Sequence, residues 1–145
     1  MEFENKAHKK AYERINKMMV ELYGEAGANA SDDRPHWLVP SGSAMVHVSV
    51  TDWRDNMNLV QITAFVAQGT EVTESCMRYL LDENHTMVFG GFALDSDGDV
   101  AFSHSVIAEN VLKEDLKIII SAIRSTADGY DDTIIERWGG KRAYD

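Results

Sequence analysis

Asp95, Asp97 and Asp99, at alternate positions, are the side chains most like a metal site. An EF-hand calcium loop needs Gly at its sixth position and Glu at its twelfth. Counted from Asp95, those positions hold Val100 and Val106, and Gly98 stands fourth. An acidic, Gly-containing run between two apolar stretches is instead a hairpin turn. The five histidines are His8, His36, His47, His85 and His104. No two share a helix at i, i+4, and none pairs with Cys76 at a zinc spacing. His47 and His104 lie in strand-like runs and can meet across a sheet. A nucleophilic cysteine needs a neighbouring base and a lowered pKa. Cys76, the one thiol, sits among apolar helix positions, where free Cys packs as a small core residue. No G-x-S-x-G, Walker or G-x-G-x-x-G pattern occurs. Gly90-Gly91 falls in a strand-like run, where glycine marks a bulge or close packing. No catalytic residue, metal or cofactor is expected.

The chain around these residues is ordinary for a folded domain. Its 145 residues suit one domain, 1–145, and 44% of them are hydrophobic. A fold of that length buries roughly 68–70% of its unfolded surface, enough for one core. A single cysteine forms no internal disulfide, so a secreted, stapled fold is not expected. The start, MEFENKAHKK, has no apolar stretch of the signal-peptide kind, and no apolar run nears the ~18 residues that span a bilayer. A cytoplasmic location is expected by elimination, with no membrane partner. The net charge of −10 repels phosphate backbones, so no nucleic-acid partner is expected either. The charge is uneven: residues 1–20 carry five Lys/Arg against three acids, and the rest nine against twenty-one.

Periodicity supplies the elements. Phe3, Ala7, Ala11, Ile15, Met18 and Leu22 predict a helix over 3–23, with Lys6, Lys10, Arg14 and Lys17 on its opposite side. That basic stripe reads as a solvated face, with an acidic partner as the alternative. Gly24–Pro35 reads as a loop. His36–Val39 is a short strand, Pro40-Ser41-Gly42 a turn, and Ser43–Trp53 a strand with Ala44, Val46, Val48 and Val50 on one face. After a turn at Arg54-Asp55-Asn56 comes a strand over Met57–Ala67. Val60, Ile62, Ala64 and Val66 share one of its faces, and Leu59 and Phe65 the other. A second helix spans about Thr73–Asn84. Met87–Leu94 and Val100–Ile107 are strands flanking the acidic turn. A last helix runs over Lys113–Trp138 on a stripe of Leu112, Leu116, Ile119, Ile120, Ile123, Ala127, Tyr130 and Ile134, with Gly139-Gly140 ending it. The expected fold is α+β: a five-stranded antiparallel sheet with three helices, in the order α-β-β-β-α-β-β-α.

The second helix carries the functional signal. At 100° per residue, Cys76, Met77, Tyr79, Leu80 and Leu81 cover an arc of about 200°, twice what packing on one core requires. Such a helix buries two faces, one on its own sheet and one on another molecule, unless loops of the same chain cover the excess. Met77 and Leu81 form one edge of the arc and Tyr79 the other, so one of these edges should face outward.

The segment MRYLLDENHTMVFGGFALDSDGDVAFSHSVI (Met77–Ile107), followed by ADGYDDTIIERWGGKRA (Ala127–Ala143), resembles the YbjN family, which has the fold of type III secretion chaperones. The match is close over about residues 70–143 and extends to the N-terminal part only in element order. The resemblance implies a compact, often dimeric domain without known enzymatic chemistry. Secretion chaperones of this fold bind an extended segment of a client protein. It also implies a structural role for Ala127, Asp128, Tyr130, Asp131, Gly139 and Gly140. Asp128, Asp131 and Asp132 lie outside the apolar stripe and can cap, pair with a base or face a partner.

The combined expectation is a non-enzymatic, chaperone-like or regulatory homodimer that binds a segment of a client protein. Its contacts would come from Cys76, Met77, Tyr79, Leu80, Leu81, Leu59 and Phe65. A sheet edge would be open to an added strand, and basic or neutral apolar segments would be preferred over acidic ones. The rival expectation is a small-molecule-binding protein or small enzyme with a pocket between sheet and helices.

Overall fold

The computed structural model describes residues 1–41 and 44–143. Its elements are α1 (Lys6–Ala28), β1 (His36–Ser41), β2 (Ala44–Arg54), β3 (Met57–Gln68), α2 (Glu74–Asn84), β4 (Gly91–Leu94), β5 (Val100–Ile107), α3 (Lys113–Trp138) and β6 (Lys141–Arg142). This is the expected α+β order with one short strand added. The sheet is antiparallel, in the order β1-β2-β3-β5-β4. β6 pairs with Ala67 and Gln68 of β3, and Ala67 also pairs with Val100 of β5, so β6 lies on the β2 side of β3.

Local chemistry sets the element ends. The Asn5 side chain accepts the His8 N–H at 2.9 Å and caps α1. Thr73 does the same for α2 through the Cys76 N–H at 3.2 Å. α3 has Glu114 and Asp115 in its first turn and Arg137 in its last, which suits the helix dipole. Asp55 and Asn56 take φ of 52° and 59°, the conformation of a tight two-residue hairpin turn.

Alternation puts Val46, Val48, Val50, Val60, Ile62, Ala64 and Phe102 on the inner face of the sheet. There they pack with Ile15 and Met19 of α1 and Leu116, Ile120, Ile123 and Ile134 of α3. Trp37 of β1 is fully buried on the same face. It stacks on Tyr12 at 5.3 Å and donates its Nε1–H to Asn16 at 3.0 Å.

Several expectations need correction. The first helix starts after Phe3 and does not end at Gly24. Gly24 breaks its path at φ 72°, and a further turn runs to Ala28, which is buried, before Asn29 ends it in the left-handed region. The turn at Pro40-Ser41-Gly42 and the strand start at Ser43 fall partly outside the described residues; Pro40 and Ser41 end β1. β4 begins at Gly91, not Met87. Gly90 has φ 75°, gives its N–H to His104 Nδ1 at 3.0 Å, and turns Met87 and Phe89 towards the core. Leu112 stands at the N-cap of α3 and is exposed, outside the buried stripe.

Candidate protein-binding site

α2 lies on the inner side of the sheet beside β4 and against α3. Cys76 and Leu80 are buried, so these two of the expected contact residues belong to the core. Tyr79 turns towards α3. Its ring lies 5.2 Å from Trp138 and 6.4 Å from Tyr130, with the Arg137 guanidinium 5.0 Å from its centre. The outward edge of the arc is Met77, 44% exposed, and Leu81, 68% exposed. Leu94 of β4, 45% exposed, joins them. With Leu80, Phe92 and Ala93 they line an apolar groove of about 220 Å³. Sequence periodicity found the helical half of this surface. It could not show that Ala93 and Leu94 complete it, because only the packing of α2 along β4 brings them together.

Four side-chain hydrogen bonds set the pose of α2. Asn84 reaches over β4, accepting the Phe92 N–H at 2.6 Å and donating to the Phe92 carbonyl at 3.3 Å. Trp138 Nε1–H donates to Ser75 Oγ at 3.0 Å. The Tyr130 hydroxyl donates to Glu83 at 2.5 Å, and this bond, then burial, pushes the phenol up to about 12. A phenol that titrates above its unfolded value of 10 contributes stability fully below pH 10 and loses it as pH rises through about 12. The stability gap between wild type and Tyr130→Phe should therefore be constant below about pH 10 and shrink above it. Denaturant midpoints of both proteins across pH 8–12 check this, and a gap that persists at the top of the range refutes it.

Asp131 is buried in α3 and pairs with Arg142 of β6 at 3.5 Å; burial raises its carboxyl above the ordinary range. Asp132 also bonds Arg142. Tyr130, Asp131 and Asp132 thus tie α3 to α2 and β6, a structural role.

All three helices lie on the inner face. Among the described residues no helix covers the outer face, where Leu38, Met45, His47, Leu59 and Phe65 are half-buried and share the surface with the polar Ser49, Gln61, Thr63, Ser103 and Ser105. Phe65 meets the His47 ring edge-on at 5.1 Å. His47 does not meet His104; its Nδ1 lies 3.2 Å from His36 Nε2. Burial, then Arg34, lowers the pKa of His36, with Asp33 opposing; burial, then the neighbouring His36 and Arg34, lowers that of His47.

The expectation of an edge open to an added strand meets an obstacle at both ends. On β1, the His36 carbonyl accepts from Ser31 N–H at 2.8 Å and the Leu38 N–H bonds Asn29 at 3.3 Å. Pro40, next along that edge, has no N–H. On β4, Asn84 already takes both backbone groups of Phe92.

The remaining sequence candidates resolve simply. Burial raises the Cys76 thiol, the opposite of activation. The carboxylates of Asp95, Asp97 and Asp99 come within 4.8 Å of one another, but Asp95 accepts the Asp97 and Asp99 N–H groups at 2.9 Å and Asp99 that of Gly69 at 2.9 Å, so they hold the turn. A groove of about 470 Å³ beside the basic stripe is lined by Ala7, Lys10, Ala11, Arg14, Asn56 and Glu109. Two of its charged groups are engaged in the fold, Arg14 with the Ala108 carbonyl at 2.6 Å and Glu109 with the Asn58 N–H at 2.6 Å. Among the described residues, no helix is long and apolar enough to cross a membrane.

Three helices on one face of an antiparallel sheet are the fold of solved secretion-chaperone complexes. The ExsC–ExsE complex contains a chain of that fold at TM-score 0.67 and 16% identity, covering 85% of this chain and 95% of that one. The HopA1–SchA chaperone–effector complex gives 0.64 and 11%, covering 85% and 97%. YbjN from E. coli gives 0.54 and 11%, covering 87% and 93%. No curated protein sequence matches the chain. The chain belongs to the family described as T3SS (YopN, CesT) and YbjN peptide-binding chaperone 1, whose model matches residues 9–145.

Proposed function

We propose that this protein is a non-enzymatic, peptide-binding chaperone or regulator that acts as a homodimer. Membership of a peptide-binding chaperone family carries the reading, and the chaperone–effector complex among its structural neighbours agrees with it. The two apolar surfaces divide the work. Met77, Leu81 and Leu94 form the dimer contact, with Leu80 as the groove floor. The uncovered outer face, with Leu59 and Phe65, takes the client. Because bonded groups or proline occupy the described edges of β1 and β4, the client is held through side chains, as an amphipathic or extended apolar segment laid on the sheet. The protein works in the cytoplasm.

Charge sets the preference among clients. A chain of net charge −10 attracts basic segments and repels acidic ones, most strongly at low salt. Two peptides of equal hydrophobicity and opposite charge separate the accounts. The basic one should bind faster, with the difference shrinking as salt rises. Phe65→Ala should cost about 1–2 kcal/mol of binding, roughly 5–30-fold. Failure of both peptides to bind, or equal binding at low salt, removes the proposed mode.

A further inference from the structure

We propose that His36 and His47 form a binding site for a divalent transition-metal ion of the Cu2+ and Zn2+ class on the outer face of the sheet. The register of β1 and β2 pairs His36 with Ser49 and Leu38 with His47, so the two histidines are diagonal neighbours on one face. His36 Nε2 and His47 Nδ1 lie 3.2 Å apart. Imidazole nitrogens bind such ions at about 2.0–2.1 Å, so two ligands at 90–110° around one ion stand about 2.9–3.4 Å apart. The separation is therefore already that of a cis ligand pair.

In the ion-free protein the same spacing holds one shared proton, since one ring must donate and the other accept. The ion takes the place of that proton. Ring centres 5.3 Å apart show the two rings facing end to end, so they must tilt for their lone pairs to converge. Both side chains are half-buried on the open face, where water can complete the coordination sphere. Phe65 backs the His47 ring and limits its movement. Arg34 opposes a cation here and Asp33 offsets it, while the overall charge of −10 favours cations generally. Imidazole ligands suit Cu, Zn and Ni, and Cu2+ should bind most tightly.

The other histidines do not offer this arrangement. His8 bonds Val50 and Glu4 through its two ring nitrogens, and His104 accepts the Gly90 N–H. His85 stands exposed at the end of α2 and serves as the control.

The full-length protein is titrated with Cu2+ at neutral pH by calorimetry, and electron paramagnetic resonance counts the bound nitrogens. One equivalent should bind with two imidazole nitrogens, and Zn2+ in large excess should compete for the same site. Losing an outer-shell partner of a ligand already costs about 10–100-fold, so His36→Gln and His47→Gln should each weaken binding at least tenfold and remove one nitrogen from the spectrum. His85→Gln should change neither. A wild-type spectrum without a pair of imidazole nitrogens overturns the proposal, whatever the variants do. So does binding that survives both substitutions or is lost with His85.

Discussion

Leu81→Asp should convert the proposed dimer to a monomer without weakening the fold. Leu81 is 68% exposed in the single chain, so its removal costs the monomer core almost nothing. In a dimer that buries the α2 ridge, the same side chain lies at the contact. Burying a Leu is worth about 1.5–3 kcal/mol, and a carboxylate in its place adds the cost of an unpaired buried charge. The dimer dissociation constant should rise by about 100-fold or more. Met77→Asp should act in the same direction. A stable contact buries roughly 1,200 Å² or more in total, so Leu94 of β4 should join Met77 and Leu81 in it. Sedimentation at tens of micromolar checks both points. A wild-type monomer at that concentration, or a Leu81→Asp dimer as tight as wild type, removes the dimer from the proposal.

A large stability effect is expected at Gly90. An added Cβ would lie 2.7 Å from Phe102 Cε1, 2.8 Å from Ile123 Cδ1 and 2.9 Å from the Ser103 carbonyl oxygen. The two side-chain ends can shift at the expense of core packing, but the carbonyl belongs to the β5 ladder. The backbone is also at φ 75°, which side chains rarely adopt. Gly90→Ala should therefore cost about 3 kcal/mol or more, a fall in Tm of roughly 6–12 °C for a chain of this size. Gly98 separates the two causes. It has φ 82° with nothing within 4 Å, so Gly98→Ala meets the dihedral cost alone, about 1–2 kcal/mol. Equal losses at the two positions would show that crowding against Phe102 and Ile123 contributes nothing.

The contrast between these glycines marks what could be read without coordinates. Gly98 stands in an Asp-rich turn between two apolar runs, a local signal, and the hairpin is where the pattern puts it. The third helix was legible because its stripe repeats over about six turns and Gly139-Gly140 ends it. Gly90 was read as part of a strand because its constraint comes from β5 and α3, far away in sequence. β6 was missed for a similar reason: Lys141 and Arg142 carry no strand pattern, and pairing with β3 and the ion pairs to Asp131 and Asp132 define them. The candidate surface divides in the same way. The 200° arc on α2 announced an excess of apolar side chains, but which edge faces outward depended on Trp138 and Arg137 taking Tyr79. His36 and His47 are invisible as a pair because only the β1–β2 register makes diagonal neighbours of residues eleven apart.

The fittings at the two ends of the sheet bear on how copies of the chain can associate. A strand edge with unsatisfied backbone groups adds a copy and presents a fresh edge, so growth by that route has no natural end. Here Asn29, Ser31 and Pro40 close one side, and the Asn84 amide stands in for a neighbouring strand at Phe92 on the other. In the proposed dimer the ridge of α2 meets its own copy about a two-fold axis and uses itself up: both patches are consumed and nothing remains for a third chain. Asn84→Ala keeps the ridge and unmasks the β4 edge, giving the proposed dimer a second self-pairing surface through which it can grow beyond two chains.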